Sequence, residues 1–235
     1  MGEHIVSAFD DDLVSIQAKI SEMGGLVEEA LKMALQAVND RDPEIADKVI
    51  ALDRRIDDLD IEIEQLATNV IALRQPMALD LRVLLSALKI STTLERIGDL
   101  AKNIARRASH LAKARKMPLA RSIVTMGEMT LKQLTTILDA HAERDAELAV
   151  EIWRNDIELD EMYNSLFREL VTYMASDPRM IGIASQLLFI AKNLERIGDH
   201  TTHISEMIYY IVNGEYLGDE RPKGEPLGLE ALIDE

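Results

Sequence analysis

The hexapeptide Leu-Glu-Arg-Ile-Gly-Asp occurs twice in this chain, first at residues 94–99 and again at residues 194–199. The similarity continues upstream, where the stretch 40–46 resembles 143–149. The offset between matched positions shrinks from 103 residues upstream to 100 at the hexapeptide, as small deletions in the second copy would cause. Self-similarity over such a distance is typical of a duplicated structural unit.

Helix-breaking residues divide the two copies at equivalent places. The breakers are 39–43 and 75–76 in the first copy and 141–145 and 176–178 in the second, while Met117-Pro118 separates the copies. Proline suits the first turn of a helix and disfavours helix at the residue before it, so these positions predict helix boundaries.

Apolar residues between the breakers recur at alternating spacings of three and four. The pattern runs through 49–73, 83–111 and 183–211, and it is less regular in the middle segment of the second copy, at Asn155 and Glu169. This period predicts long helices that pack nearly parallel or antiparallel to one another.

We therefore predict an all-α fold of six long antiparallel helices, arranged as two tandem three-helix bundles with a pseudo-twofold internal repeat. The first bundle is assigned to residues 1–115 and the second to 116–214. Residues 215–235, rich in Gly, Pro and acids, are expected to form a loose acidic tail.

Composition narrows the functional classes. The formal net charge of −16 argues against a nucleic-acid partner, because phosphate backbones need a basic surface. The chain has no cysteine, which excludes disulfides and thiolate metal sites. Its start lacks a basic region followed by an apolar run, and no stretch is long and apolar enough to span a bilayer. We expect a cytoplasmic protein.

Four pairs of acids stand four residues apart, so that each pair shares a helix face. With 42 acids in the chain, chance alone gives roughly seven or eight such pairs, and an isolated pair is usually a solvated surface. Recurrence in register favours a hard cation that offsets the repulsion between like charges. The candidate metal ligands are Asp53 with Asp57, Glu95 with Asp99, Asp156 with Asp160, and Glu195 with Asp199.

The apolar stripe predicts where these acids point. Glu95 and Asp99 lie beside the seam formed by leucine and isoleucine, so we expect a cluster near the surface. Gly98 and Gly198 lie between the paired acids of each copy. A glycine inside a helix costs about 1 kcal/mol, and either close helix packing or access for a metal would explain it.

Other polar residues of the repeat have two possible roles each. Arg96 and Arg196 either pair with the carboxylates or form surface salt bridges. His200 and His203 either add nitrogen ligands or are polar surface residues, and Asn103 stands where the second copy has His203. The two predicted sites therefore differ.

The duplicated hexapeptide, with Glu-x-x-x-Asp in each half, resembles the PhoU family. The extension Gly-Asp-His-Thr-Thr-His-Ile at 198–204 is similar to that family's C-terminal signature, and the resemblance covers residues from about 5 to 214.

This resemblance implies a function. It implies a cytoplasmic adaptor, peripheral to the membrane, that negatively regulates phosphate uptake and the phosphate-starvation response. The implied partners are the ATPase of a phosphate ABC transporter and a sensor histidine kinase, and the implied assembly is a homodimer. The eight carboxylates above would bind metal ions, with iron expected first and magnesium, manganese or zinc as alternatives.

Two further hypotheses concern catalysis and docking. No nucleophile–base pair or phosphate-binding loop is visible, so we expect no catalytic residues. The alternative is a carboxylate-bridged metal enzyme or a metal-binding protein on a helical bundle, and rapid oxygen consumption by the iron-loaded protein would support the enzyme. The basic stretch 102–121 would meet an acidic partner or an anionic membrane surface, or else be a solvated helix end.

Overall fold

The computed structural model describes residues 2–115, 117, 119–218 and 221–222, with side chains from residue 9 onward. Its described helices are α1 (Gly2–Asp40), α2 (Pro43–Arg74), α3 (Leu79–Leu111), α4 (Ala120–Glu143), α5 (Ala146–Asn155), α6 (Ile157–Ser176) and α7 (Ile181–Asn213), with a 3₁₀ turn at Pro178–Met180 before α7. No strand occurs in these residues. The predicted all-α fold is confirmed.

The predicted breakers act as helix boundaries in both copies. Asp42 caps α2, accepting a hydrogen bond from the amide of Glu44 at 2.8 Å, and Pro43 occupies the first turn. In the second copy Asp145 caps α5 by accepting from the amide of Leu148 at 2.9 Å. The same local chemistry therefore starts the middle helix of each copy.

The middle helix of the second copy is broken where the first copy has one continuous helix. Asn155 ends α5, and α6 starts at Ile157, so that Asp156 lies between the two helices. The irregularity at Asn155 in the apolar pattern indicated this break. Asp156 keeps right-handed helical backbone angles, and its carbonyl accepts a hydrogen bond from the amide of Asp160 at 3.3 Å, so the predicted i,i+4 spacing of the two acids persists across the break.

The helices of each copy pack together as a bundle, and the buried apolar residues of both copies belong to one hydrophobic core. The helices α1, α2 and α3 pack against one another, and α4 packs with α5, α6 and α7 in the same way. The seam residues of the hexapeptides, Leu94, Ile97, Leu194 and Ile197, are fully buried. Their burial explains why leucine and isoleucine recur at these positions.

The two bundles meet through α3 against α7 and α1 against α4. In the second contact Gly24 of α1 lies under Leu138 of α4, and Gly127 of α4 lies under Leu35 of α1. A Cβ added to Gly24 would come within 2.7 Å of Leu138 Cδ2, and one added to Gly127 would overlap the Leu35 side chain. The two glycines are 103 residues apart in the chain, and so are the two leucines. Equivalent residues of the two copies therefore make the same contact in both directions, as across a twofold axis.

The segment after α7 is only partly described. Gly214 ends the helix with a φ of 81°, in the left-handed region that favours glycine. Tyr216 stacks on Tyr210 with ring centroids 4.4 Å apart, and Arg221 is largely buried. The rest of the predicted loose tail, 219–220 and 223–235, lies outside the described residues.

None of the helices in the described part of the chain combines the length and the apolar character needed to cross a membrane.

Candidate functional site: two acid clusters

The first acid cluster lies between α2 and α3. Lys102 of α3 donates to Asp53 Oδ2 of α2 at 2.5 Å and also to Asp99, one turn earlier on its own helix. The side chains of Asp53 and Lys102 are only 8% and 15% exposed, whereas that of Asp99 is 46% exposed. The lysine ammonium group therefore bridges a buried carboxylate and a surface one.

The remaining acids of the first cluster are crowded by like charge. Burial raises the pKa of Asp57, and the neighbouring carboxylate of Asp53 raises it further. Burial also raises the pKa of Glu95, with Asp99 and Asp57 adding to the effect. Both shifts mean that the cluster disfavours further negative charge and would favour an added cation.

The second cluster is built around Asp156, at the break between α5 and α6. Its Oδ1 accepts a hydrogen bond from Gln133 Nε2 of α4 at 2.8 Å. Its Oδ2 lies 3.1 Å from Arg221 Nη1, and Arg221 Nη2 donates to Asp199 Oδ1 at 2.6 Å. The guanidinium group of Arg221 thus joins a buried carboxylate to a more exposed one, as Lys102 does in the first copy.

Burial is the main electrostatic influence in the second cluster. It raises the pKa of Asp156 to about 6, although Gln133 and Arg221 oppose the shift. Burial raises the pKa of Glu195 as well, against a hydrogen bond that Lys192 Nζ donates to its Oε1 at 2.7 Å.

The eight predicted acids therefore fall into two groups, one in each copy. In the first, Asp57 and Glu95 lie within electrostatic reach of Asp53 and Asp99. In the second, Asp160 and Glu195 stand in the same relation to Asp156 and Asp199. Each copy brings its two acid pairs together.

The expected surface location holds for only part of each cluster. Asp53 and Asp156 are 6% and 2% exposed, so the first acid of each middle-helix pair is buried rather than at the surface. Asp99 and Asp199 remain accessible, with side chains 46% and 41% exposed. The sequence pattern missed this because the burial depends on how the neighbouring helix covers the acid.

The two glycines of the hexapeptides occupy close helix contacts. A Cβ on Gly98 would lie 3.1 Å from Ile56 Cδ1. A Cβ on Gly198 would lie 2.5 Å from Leu159 Cδ2 and 2.7 Å from Asp156 Oδ1. Tight packing explains both glycines, and in the second copy the glycine also leaves room for the buried carboxylate.

Sequence reasoning missed Lys102, Arg221 and Gln133 as members of the clusters. Lys102 was placed in the basic stretch, although its position three residues after Asp99 is a helical ion-pair spacing that could have indicated it. No local signal pointed to Arg221 or Gln133, because both reach their cluster through tertiary contacts.

The histidines and arginines around the hexapeptides lie beside the acid clusters, since Arg96 lowers the pKa of Glu95 against burial and Asp199 raises that of His200 against burial. His203 is 3.3 Å from Glu206 Oε2, one turn further along α7. His200 has a lowered pKa because it is buried and near the cations Arg196 and Arg96. The two arginines therefore lie near a histidine at the α3–α7 contact.

Part of the basic stretch is used within the fold. Arg107 donates to Gln186 Oε1 of α7 at 3.0 Å, and its guanidinium carbon lies 4.2 Å from the ring centroid of Phe189. Arg41 donates to the carbonyl of Ala114 at 2.6 Å. These contacts link the stretch to neighbouring helices.

The donor chemistry of both clusters fits a hard cation, because carboxylate oxygens are the ligands that such cations prefer. Within the part of the chain that the structure describes, no three carboxylate or imidazole groups converge closely enough to hold one metal ion. Lys102 and Arg221 instead bridge the acids. Metal binding stays a prediction, and it requires these side chains to move.

Comparison with known proteins identifies the family. A family model described as the PhoU domain matches residues 20–108 and again 123–208. A PhoU homolog of Caulobacter vibrioides, named as a phosphate-specific transport system accessory protein, is 48% identical over 95% of this chain and 97% of its own length. The Escherichia coli K12 protein named "Phosphate-specific transport system accessory protein PhoU" is 37% identical over 95% of this chain and 94% of its own.

Solved structures agree with this result. The crystal structure of PhoU from Pseudomonas aeruginosa matches with a TM-score of 0.86 at 36% identity, over 88% of this chain and 100% of that one. The phosphate transport system regulatory protein PhoU from Streptococcus pneumoniae matches with a TM-score of 0.84 at 29% identity, over 90% and 100%. With its two matched domains, its fold and its near full-length relatives, this chain belongs to the PhoU family.

Proposed function

We propose that this chain is an accessory regulator of phosphate-specific transport. The observation that supports this most strongly is its 48% identity to a protein of that name, over nearly the whole length of both chains. Similarity that extends through both bundles favours a shared function of the whole molecule over a shared fold alone.

In this proposal the protein acts in the cytoplasm as a non-catalytic adaptor. It contacts the ATPase of a phosphate ABC transporter and a sensor histidine kinase, and it restrains uptake and the starvation response when phosphate is plentiful. It works as a homodimer at the membrane surface. The resemblance of the sequence to the PhoU family supports each of these statements.

Genetic complementation tests the regulatory role. An Escherichia coli strain lacking its own PhoU would receive this chain, and a phosphate-starvation reporter would be measured in phosphate-rich medium. We expect the chain to restore repression. A stable, well-expressed chain that leaves the reporter fully active would overturn the proposal.

Partner binding has its own test. The tagged chain, mixed with detergent-solubilised transporter or with the kinase, should retain both proteins on an affinity resin. A double charge reversal at the exposed Arg106 and Lys113, which leaves the contacts of Arg107 within the fold intact, asks whether the basic stretch forms the docking surface. Unchanged binding by that variant would exclude the docking role, and light scattering of the free protein would test the homodimer.

The proposal includes metal binding by the carboxylates of both clusters, with iron expected first and magnesium, manganese or zinc as alternatives. Burial raises the pKa values of Asp57 and Glu95, and neighbouring carboxylates raise them further, so that a hard cation would neutralise a crowded group of acids. Elemental analysis should find metal in the purified protein and less in a variant that combines Glu95→Gln, Asp99→Asn, Glu195→Gln and Asp199→Asn. Equal metal content in both would contradict the site assignment.

A further inference from the structure

A groove between α3 and α7 concentrates positive charge in a chain whose formal net charge is −16. We call it the basic groove, and it is lined by Lys89 and Arg96 of α3 and by His200 and His203 of α7. The described residues that line it include no acid. Its volume of about 590 Å³ lies within the range of roughly 300–1,000 Å³ that is typical of ligand sites. A ligand of this groove would therefore be an anion.

The cationic groups of the basic groove lack acidic partners. Within the described part of the chain, the guanidinium group of Arg96 forms no ion pair and no hydrogen bond. Lys89 Nζ donates to the neutral hydroxyl group of Tyr216 at 3.3 Å. Burial lowers the pKa of His200, and the positive charges of Arg196 and Arg96 lower it further. An anion in the groove would relieve this repulsion between like charges.

The α7 side of the groove is held in a fixed shape. His203 Nδ1 lies 3.3 Å from Glu206 Oε2, and Glu206 Oε1 accepts a hydrogen bond from the indole of the buried Trp153 at 3.3 Å. Asp199, the acid next to His200 in the chain, is paired with Arg221 at 2.6 Å. Both acids that adjoin the histidines are thus engaged by other side chains, and the positive charge on α3 remains available to a ligand.

The internal repeat does not account for this groove. The offset of 100 residues between the hexapeptides places uncharged residues where the basic groove has a lysine and two histidines, namely Phe189, Leu100 and Asn103. In that counterpart the guanidinium carbon of Arg107 lies 4.2 Å from the ring centroid of Phe189, so the arginine packs on the ring. The unpaired positive charge is therefore a property of one side of the α3–α7 contact.

The spacing of the cations indicates the size of the ligand. Lys89 and Arg96 belong to the same helix, so their Cα atoms are roughly 10 Å apart at a rise of about 1.5 Å per residue. A single phosphate is too small to contact both ends of the groove, whereas a chain of phosphates is long enough. Guanidinium groups bind phosphate oxygens through two parallel hydrogen bonds, and ammonium groups bind them as point charges.

We propose that the basic groove binds a small anion with several linked phosphate groups, with Arg96 and His200 at one end and Lys89 at the other. Because the groove is formed by one helix from each copy, the bound anion contacts both bundles and stabilises their association. The evidence for this site is the charge and geometry of α3 and α7, so it does not rest on the regulatory role proposed above. Loss of complementation would leave the binding result unchanged.

Calorimetric titration of the full chain tests the class of ligand. Sodium tripolyphosphate is the probe, and EDTA in the buffer keeps metal ions out of the acid clusters. We expect tripolyphosphate to bind at least about tenfold more tightly than orthophosphate, because only the chain of phosphates reaches both cations. No binding of tripolyphosphate, or equal binding of the two anions, would overturn the proposal.

A third titration distinguishes two sources of the same chemistry. Adenosine triphosphate carries three linked phosphates on a nucleoside. Binding no tighter than that of tripolyphosphate would assign the groove to a free phosphate chain, whereas tighter binding would assign it to a nucleotide. Both results support the site in the groove.

Two matched substitutions locate the charge that matters. Arg96→Gln should weaken the binding of tripolyphosphate about tenfold, because it removes a charged hydrogen-bond donor. The control is Arg54→Gln, which removes the same charge from an exposed position on α2, a helix that does not contact α7 in the described part of the chain. Equal losses in the two variants would show that net charge sets the affinity and would overturn the site.

Imidazole NMR signals locate the anion in the unmodified chain, so this measurement does not depend on the folding of a variant. Tripolyphosphate should shift the signals of His200 and His203. The signals of His141, which is buried, and of His110, which is exposed in the basic stretch, should stay in place. A shift at His110 with none at the two groove histidines would place the anion on the basic stretch and would refute the proposal.

Discussion

Replacing Lys102 by methionine should destabilise the first bundle by leaving a buried carboxylate without its cation. The ammonium group lies 2.5 Å from Asp53 Oδ2, and the aspartate side chain is only 8% exposed. Methionine keeps most of the volume of the lysine stem, so packing changes little and the electrostatic loss dominates.

The magnitude follows from how deeply each partner is buried. Breaking a buried ion pair by removing one partner costs about 3–5 kcal/mol, while an exposed pair contributes about 0–1 kcal/mol. The contact with Asp53 belongs to the first kind and that with Asp99, 46% exposed, to the second. Since Lys102 keeps some exposure, we expect a loss of about 3 kcal/mol, near the lower limit. For a chain of this size that lowers the midpoint of thermal unfolding by about 6–12 °C.

A double-mutant cycle separates charge from packing. Asp53→Asn removes the buried charge while preserving shape, so Lys102→Met combined with Asp53→Asn should recover most of the stability, to within about 1 kcal/mol of the unmodified chain. Urea unfolding followed by circular dichroism gives the four free energies. If the double variant is as unstable as Lys102→Met alone, the lysine stabilises by packing and the electrostatic reasoning is wrong.

Four other substitutions test three separate features. Gly198→Ala should cost about 1–3 kcal/mol in urea unfolding, because the added Cβ would lie 2.7 Å from Asp156 Oδ1; unchanged stability would contradict the close contact. Gly127→Ala should cost about 1–3 kcal/mol through overlap with α1, whereas Gly25→Ala, with nothing within 4 Å of its Cβ, should stabilise by about 0.5–1 kcal/mol; equal effects would refute the packing argument. Burial lowers the pKa of His141 from 6.5 to about 4, so the folded protein keeps its imidazole neutral. The contribution of this neutral side chain to the free energy of unfolding is full above pH 6.5 and is lost as the pH falls towards 4. Relative to His141→Gln, the unmodified chain should therefore lose about 2 kcal/mol between pH 7 and pH 5, and parallel pH profiles would refute this.

Local patterns were sufficient to predict most of the fold. The apolar period identified the helices because burial of one face, as at Leu94 and Ile97, repeats every three or four residues along the chain. The break near Asn155 was visible as an interruption of the same pattern. The boundaries at Pro43 and Pro178 followed from backbone chemistry that depends only on neighbouring residues.

The clusters were predictable only in part, because tertiary contacts bring their cationic side chains to the acids. The acids could be grouped from their spacing on adjacent helices. The burial of Asp53 depends on how closely α3 packs against α2, and that of Asp156 on how closely α7 packs against α5 and α6. Arg221 is 22 residues from Asp199 along the chain, and no periodic pattern of the sequence indicates that the two side chains meet. Side-chain contacts between distant segments are set by tertiary packing, which a single sequence does not display.

The reciprocal glycine–leucine contacts of α1 and α4 have the form of a symmetric dimer interface enclosed within one polypeptide. Two identical subunits that met in this way would have to carry the same residue at both equivalent positions. A fused pair is free of that restriction, since each half mutates independently while the shared interface keeps them together. Lys102 of one half has Thr202 as its counterpart in the other, where Arg221 donates to the threonine hydroxyl and supplies the positive charge instead. Such freedom permits one molecule with two related acid clusters that take their cation from different parts of the chain.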